Sequence, residues 1–385
     1  LDDILFGEVW LCSGQSNMFQ PIKGYGNDQP TANAMLAKAK AEKSNIRLFS
    51  VTRKNAKVPF KDLKDYTAWE KATPENCEDF SAIAWFFGQQ LQEVLDVPVG
   101  IIHTSWGGTR VEAWMSKEAL SDFEEVDLGD KPLNEEAKNK PTVLYNAMIH
   151  PLIPYTIKGA LWYQGEANRN AYKRYKLLFP AMVKDWRSRW GIGDFPYYFV
   201  QIAPFDYSKK DPLRSINKNS AFMRVAQEEC VSLIPNSGIA ITTDLGDEHR
   251  IHPSQKQDVA SRLLLLALGE TYGIDEVDGQ SPKYDTMVVY DDEIHLKFSN
   301  AEVGLFSFGN LHDFEIAGED KIFYSASAMI KEGGIVVLKS ENVKVPVAAR
   351  YAWKDWVKGS LYNQNLLPAS SFRTDNWTDA TRFGK

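Results

Sequence analysis

Short apolar runs alternate with amphipathic stretches along the first two-thirds of the chain, and the two periods predict strands and helices in turn. Strands are predicted at residues 8–12, 97–103, 157–163, 197–202 and 238–243. Residues 81–95 read as a helix between two of them. Residues 168–190 do so more clearly, because Tyr172, Tyr175, Phe179, Met182, Trp186 and Trp190 recur every three to four positions and make one apolar face. A third helix is predicted over 257–268, with Val259, Leu263 and Leu266 on one side. Five strands alternating with helices predict an α/β fold with a doubly wound, mostly parallel sheet. Near residue 280 the texture changes. Short alternating runs at 286–290, 293–298, 304–308, 321–324, 334–338 and 344–349, punctuated by Gly, Asn and Asp, predict antiparallel, sandwich-like β structure. The expected division is an α/β domain of residues 1–279 and a β-rich region of residues 280–385 packing on it. The polar stretches 132–141 and 207–219 are expected loops.

In an open parallel sheet, ligands bind beyond the carboxyl ends of the strands, so the residues just after each run carry the chemical information. The first run leads into Gly14-Gln15-Ser16-Asn17-Met18. A serine at a strand-to-helix turn exposes its hydroxyl beside backbone N–H groups that the first helical turn leaves without partners. The second run leads into Thr104-Ser105-Trp106-Gly107-Gly108-Thr109-Arg110, where two glycines let backbone approach a ligand closely. The third is followed by Gln164-Gly165-Glu166-Ala167-Asn168, and the fifth by Asp244, Asp247, His249 and Arg250-Ile251-His252-Pro253. These types suit acyl transfer to water: Ser16 as nucleophile and His252 as its base. The oxyanion is expected at the N–H groups of Ser16 and Gly107 (or Gly108) and the side-chain amide of Gln164. Asp247, Asp244 and Glu166 are candidates for the acid that orients His252. Arg110, and Asn17 beside the nucleophile, are candidate substrate contacts.

Composition narrows the partners. The 385 residues are 44% hydrophobic and 25% charged, with a formal charge of -7 and no long basic run, so nucleic acid is not an expected partner. Three cysteines, an odd number, give no disulfide framework. No 18-residue apolar segment predicts a membrane span. His103, His150, Glu8 and Cys77 lack a metal-ligand spacing, so no zinc site is expected.

The same stretches resemble the sialate O-acetylesterase family of SGNH-type carbohydrate esterases. The matching blocks are Phe6 to Met18, Gly100 to Trp114, Leu144 to Met148, Trp162-Tyr163-Gln164-Gly165-Glu166, Asp194 to Gln201, Asp244 to Asp247, and Ile251-His252-Pro253 with Lys256. Arg350 to Trp353, Leu361-Tyr362-Asn363, Leu367-Pro368 and Phe372 to Asp375 continue them. The resemblance implies a flavodoxin-like, SGNH-hydrolase-like sheet with flanking helices. It implies removal of acetyl groups from sugar hydroxyls, with Ser16 as nucleophile, His252 as base, and Gly107 and Gln164 completing the oxyanion hole. Gln164 stands where many members of the wider class use asparagine. His249 stands where many place the triad aspartate, so the acid is assigned first to Glu166 and second to Asp247. The resemblance also implies no metal or organic cofactor, an O-acetylated sugar or glycan as partner, secretion or a periplasmic location, and a β-rich segment ahead of the nucleophile block. O-acetylated sialic acid is the leading substrate. Acetyl xylan or another polysaccharide is the alternative, and a non-catalytic carbohydrate-binding protein the third reading.

Overall fold

The computed structural model describes residues 3–26, 29–64, 68–128, 135–208, 220–377 and 382–383. The chain groups into two compact units, neither continuous in sequence. The first comprises Leu1–Val200, Glu229–Ile239 and Ser254–Val277, and the second Gln201–Glu228, Ala240–Pro253 and Asp278–Lys385. A single division after residue 279 does not follow these units, and the segment carrying Asp247 and His252 groups with the second.

The first unit is built on strands β1 (Glu8–Gly14), β2 (Ile46–Ser50), β3 (Glu70–Lys71), β4 (Val99–Ser105), β5 (Gly159–Tyr163), β6 (Tyr197–Val200) and β7 (Ser237–Ala240). They form one seven-stranded sheet in the order β3-β2-β4-β1-β5-β6-β7. β2, β4, β1, β5 and β6 pair in parallel, and β3 adds an antiparallel edge. The α/β fold read from the sequence is the fold observed, with two strands added. β2 was not expected because only Ile46 and Leu48 of it are buried, so it lacks the continuous apolar run of a central strand. β1 does have that run: Trp10, Leu11 and Cys12 are fully buried.

The helices are α1 (Ser16–Phe19), α2 (Ala34–Ala41), α3 (Pro74–Asp79), α4 (Ala82–Leu95), α5 (Lys117–Leu120), α6 (Tyr172–Trp190), α7 (Ala221–Val231) and α8 (Lys256–Leu266). α4 starts at Ser81, whose hydroxyl accepts from the Ala84 N–H at 3.3 Å. Nine of its residues are buried, and it packs on β4 and α8. α6 buries the expected aromatic face, including Tyr175, Phe179, Met182 and Trp186, and ends at Gly191 with φ +65°. Residues 168–171, expected as the start of that helix, belong instead to a separate 3-10 turn, Glu166–Ala171. No helix among the described residues is long and apolar enough to cross a membrane.

In the second unit, Lys283–Tyr290, Glu293–Ser299, Ile335–Lys339 and Ser327–Lys331 make a four-stranded antiparallel sheet. A five-stranded sheet contains Phe372–Arg373, Ala348–Tyr351, Phe314–Ala317, Ile322–Ser325 and Arg382–Phe383. Ile294, Leu296, Phe314, Ile316, Val336, Leu338 and Tyr351 form its core. Gln201–Glu228 belongs here through Arg224. That side chain is fully buried and donates to Ser371 Oγ, Ser220 Oγ and the carbonyls of Ala352 and Lys354. Of the expected loops, residues 132–134 and 209–219 lie outside the described residues, and Glu135–Asn139 is a 3-10 turn.

Chain connections leave β1 toward β4 and β2, and leave β5 toward β6. The carboxyl ends of β1 and β5 therefore flank the sheet's switch point, the place where ligands bind in open sheets of this kind. Gly14 closes β1 there with φ +140°, and a Cβ added to it would lie 2.2 Å from the Tyr163 carbonyl oxygen. Gly14→Ala is expected to destabilise the protein by about 3 kcal/mol or more. A urea midpoint unchanged from wild type would contradict this placement.

Candidate active site

The strand ends are tied together before any catalytic side chain enters. Gln15 N–H donates to the Tyr163 carbonyl at 2.9 Å, and Trp106 N–H donates to the Gly14 carbonyl at 3.1 Å. The turns after β1, β4 and β5 thus share one rim. Ser16, half-exposed, opens α1. Gly107 lies against it, since a Cβ at Gly107 would come within 3.2 Å of Ser16 Cβ. A side chain there would have to push the serine turn or its own loop back by a few tenths of an ångström. Neither the Ser16 nor the Gly107 amide has an acceptor among the described residues, so two donors stand open beside the hydroxyl.

The Gly107 loop is held from behind. Lys138 Nζ donates to the Gly107 carbonyl at 2.6 Å, and Asn139 Nδ2 to the Gly108 carbonyl at 2.9 Å. Asn139 Oδ1 accepts from Arg110 N–H at 2.8 Å. Gln164 is part of this support. Its Nε2 donates to the Thr109 carbonyl at 3.0 Å and to Asn168 Oδ1 at 2.8 Å. Asn168 Nδ2 in turn donates to Glu112 Oε2 at 2.9 Å, which fixes the orientation of the amides. Both protons of the Gln164 amide are therefore committed to the protein. In this geometry Gln164 braces the Gly107 loop, and donating to a substrate oxygen requires releasing one of those bonds.

Asn17 and Glu166 meet directly: Asn17 Nδ2 donates to Glu166 Oε1 at 2.6 Å. The other end of that amide accepts from Lys256 Nζ at 2.6 Å. Ammonium and carboxylate leave the amide only one orientation. Asn17 and Lys256 are each 1% exposed. Expected as a substrate contact, Asn17 is instead a buried bridge between a base and an acid. Burial pushes Lys256 down to about 7, partly offset by Glu166. Burial also raises Glu166, against its own backbone hydrogen bond, the Asn17 bond and the Lys256 charge. Glu166 Oε2 is shut off from solvent and has no hydrogen-bond partner among the described residues.

The remaining expected residues are divided between the two units. Arg110 is exposed on the first unit. Asp247 and His252 lie in the second unit, where Asp247 Oδ1 accepts from the N–H groups of His249 and Arg250 at 2.8 and 2.9 Å. His249 is exposed. Reasoning from sequence missed the buried role of Lys256, which stood only as a matched position near the start of a helix. It also missed Lys138 and the cluster of Tyr25, Phe19, His103 and Arg53 beside α1, which have no motif to announce them.

A half-exposed serine at the switch point of a parallel sheet, beside two open amides, defines a serine-centred α/β site of the hydrolytic class. Comparison with known proteins is specific. The profile of the carbohydrate esterase, sialic acid-specific acetylesterase family matches residues 7–263. Curated sialate O-acetylesterases from Pongo abelii and Homo sapiens are 32% and 31% identical, each over 96% of this chain and 75% of their own length. A solved carbohydrate acetylesterase from Xanthomonas citri superposes with a TM-score of 0.84 at 34% identity, covering 96% of this chain and 81% of that one. The chain belongs to the sialic acid-specific acetylesterase family of carbohydrate esterases.

The buried lysine has a measurable signature. Between pH 7 and 10.5 the unfolded chain holds a proton on Lys256 that the folded chain releases, so this residue makes stability rise with pH. The slope from one such proton is at most about 1.4 kcal/mol per pH unit. In urea unfolding, the stability of wild type minus that of Lys256→Met is expected to increase as pH rises from 7 to 8.5. Parallel curves would show that Lys256 titrates normally.

Proposed function

We propose that this chain is a serine esterase that removes O-acetyl groups from carbohydrate, with O-acetylated sialic acid as its substrate. The observation that carries the reading is Ser16 held beside Gly107 with both amides open. Ser16 Oγ attacks the acetyl carbonyl carbon, and the oxyanion forms within reach of those two N–H groups. Each such donor is worth about 3 kcal/mol of barrier. Collapse of the intermediate leaves acetyl on Ser16 and releases the sugar hydroxyl with a proton. Water then attacks the acyl-enzyme, acetate departs and Ser16 regains its proton.

His252 is proposed as the group that takes and returns these protons, on the strength of the sequence blocks. Glu166 is proposed as the acid supporting it. Its second oxygen, Oε2, has no partner among the described residues, whereas Asp247 Oδ1 is engaged in closing its own turn. Arg110, exposed and three residues past Gly107, is proposed as a contact for the sugar.

Ser16→Ala is expected to lower acetate release from O-acetylated sialic acid by about three orders of magnitude or more while leaving the thermal unfolding profile intact. Near-normal turnover in that variant would remove Ser16 from the reaction. Glu166→Gln is expected to reduce kcat more than Asp247→Asn. The opposite ranking would transfer the acid's role to Asp247. Faster release from acetyl xylan than from the sialic acid would keep the chemistry and replace the substrate.

A further inference from the structure

β2 ends at Ser50, and Val51 N–H still follows the rim by donating to the His103 carbonyl at 2.9 Å. Arg53 stands two residues farther on. It therefore occupies on β2 the place that Gly107 occupies after β4 and Ser16 after β1, at the carboxyl edge of the same parallel sheet. β2 and β1 are two strand spacings apart, about 10 Å.

Arg53 is exposed but held. Its guanidinium carbon lies 3.8 Å from the centroid of the Phe19 ring, and Phe19 is the last residue of the helix that Ser16 begins. Phe19 is sandwiched further, stacking on Tyr25 at 6.0 Å and on His103 at 5.8 Å. Tyr25 donates its hydroxyl proton to the Ser16 carbonyl. The cation and the nucleophile thus sit on one continuous stack of rings. His103 supplies no charge there, because burial and then Arg53 push it down to about 3. No carboxylate among the described residues pairs with Arg53, and partial burial on the ring lowers its affinity for its proton. An arginine fixed by a ring, at the ligand-binding edge of a chain with net charge -7, and left without an acid, is a site for an anion from outside.

Two further cations, on the Gly107 side, are differently placed. Lys138 is committed to the Gly107 carbonyl. No side-chain contact among the described residues fixes the Arg110 head group, and only its backbone N–H is bonded.

We propose that Arg53 is the specificity-determining residue of this site and binds the carboxylate of an acidic, O-acetylated sugar while its ester lies at Ser16. The proposal rests on the esterase reading above and adds to it the residue that separates anionic from neutral substrates. A stacked guanidinium keeps its edge free, and that edge offers a fork of N–H donors to a carboxylate.

The test compares acetate release from O-acetylated N-acetylneuraminic acid and from its methyl ester, which differ in one charge. 4-Nitrophenyl acetate serves as a check that the enzyme is active. Wild type is expected to prefer the acid, and Arg53→Leu to lower that preference by about tenfold or more, mainly through KM. Arg53→Lys should restore part of it, and added salt should erode it in wild type. Equal losses on acid and methyl ester in Arg53→Leu would make the residue merely structural. An unchanged preference, or one lost only in Arg110→Leu, would overturn the assignment. Hydrolysis of 4-nitrophenyl acetate without any preference for the acid would overturn it while leaving the esterase intact. Failure to hydrolyse any of the three esters would remove both readings together.

Discussion

A buried hydrogen-bonded chain, Lys256 to Asn17 to Glu166, is the interaction on which the site depends. It joins the residue after Ser16, the turn after β5 and the first turn of α8, three segments far apart in sequence. An ammonium and a carboxylate buried together are costly to desolvate, and losing either strands the other. Placing an amide between them satisfies one oxygen and one proton and leaves the acid's second oxygen unengaged. Burial brings the lysine and carboxylate proton affinities toward each other, which makes the pair sensitive to anything that alters its surroundings. Since Asn17 follows Ser16 directly, fixing its side chain from both ends also fixes where the serine turn lies.

Around that interior bridge the rim is arranged in layers. Gly14 permits the β1 turn, and Gly107 permits the β4 loop to approach Ser16. Gln164, Asn168, Asn139 and Lys138 hold the loop from behind, so the open amides are positioned before any ligand arrives. Preorganised donors of this kind need no rearrangement when charge develops on oxygen. Farther along the edge, aromatic stacking on Phe19 and Tyr25 holds the Arg53 guanidinium in place.

Much of the sheet was legible because central parallel strands are buried on both faces and read as apolar runs. β1, β4, β5 and β6 could be placed that way. β2 could not, since alternate burial of Ile46 and Leu48 looks like a polar connection. Missing β2 also hid Arg53, whose meaning comes from the strand it follows. The turn at Ser16 and its neighbour Gly107 were legible as chemistry. The amides were not: sequence shows that Asn17 and Gln164 can donate, but not that buried partners already hold them. Lys256 near a helix start reads as a solvated charge until packing encloses it. In the β-rich region, residues 344–347 looked like strand yet the strand begins at Ala348, while Phe314–Ala317 and Ser327–Lys331 were missed. Ser327–Lys331 has no fully buried residue, so no apolar run or core-facing alternation announces it.

The central claim is that this architecture makes Ser16 a nucleophile. Its most direct test is reaction of the folded protein with a fluorophosphonate ester, followed by peptide mass mapping. The account predicts one phosphonyl group per chain, carried on the Ser16 hydroxyl. A label on a different residue, or an unlabelled protein that still releases acetate, would contradict it.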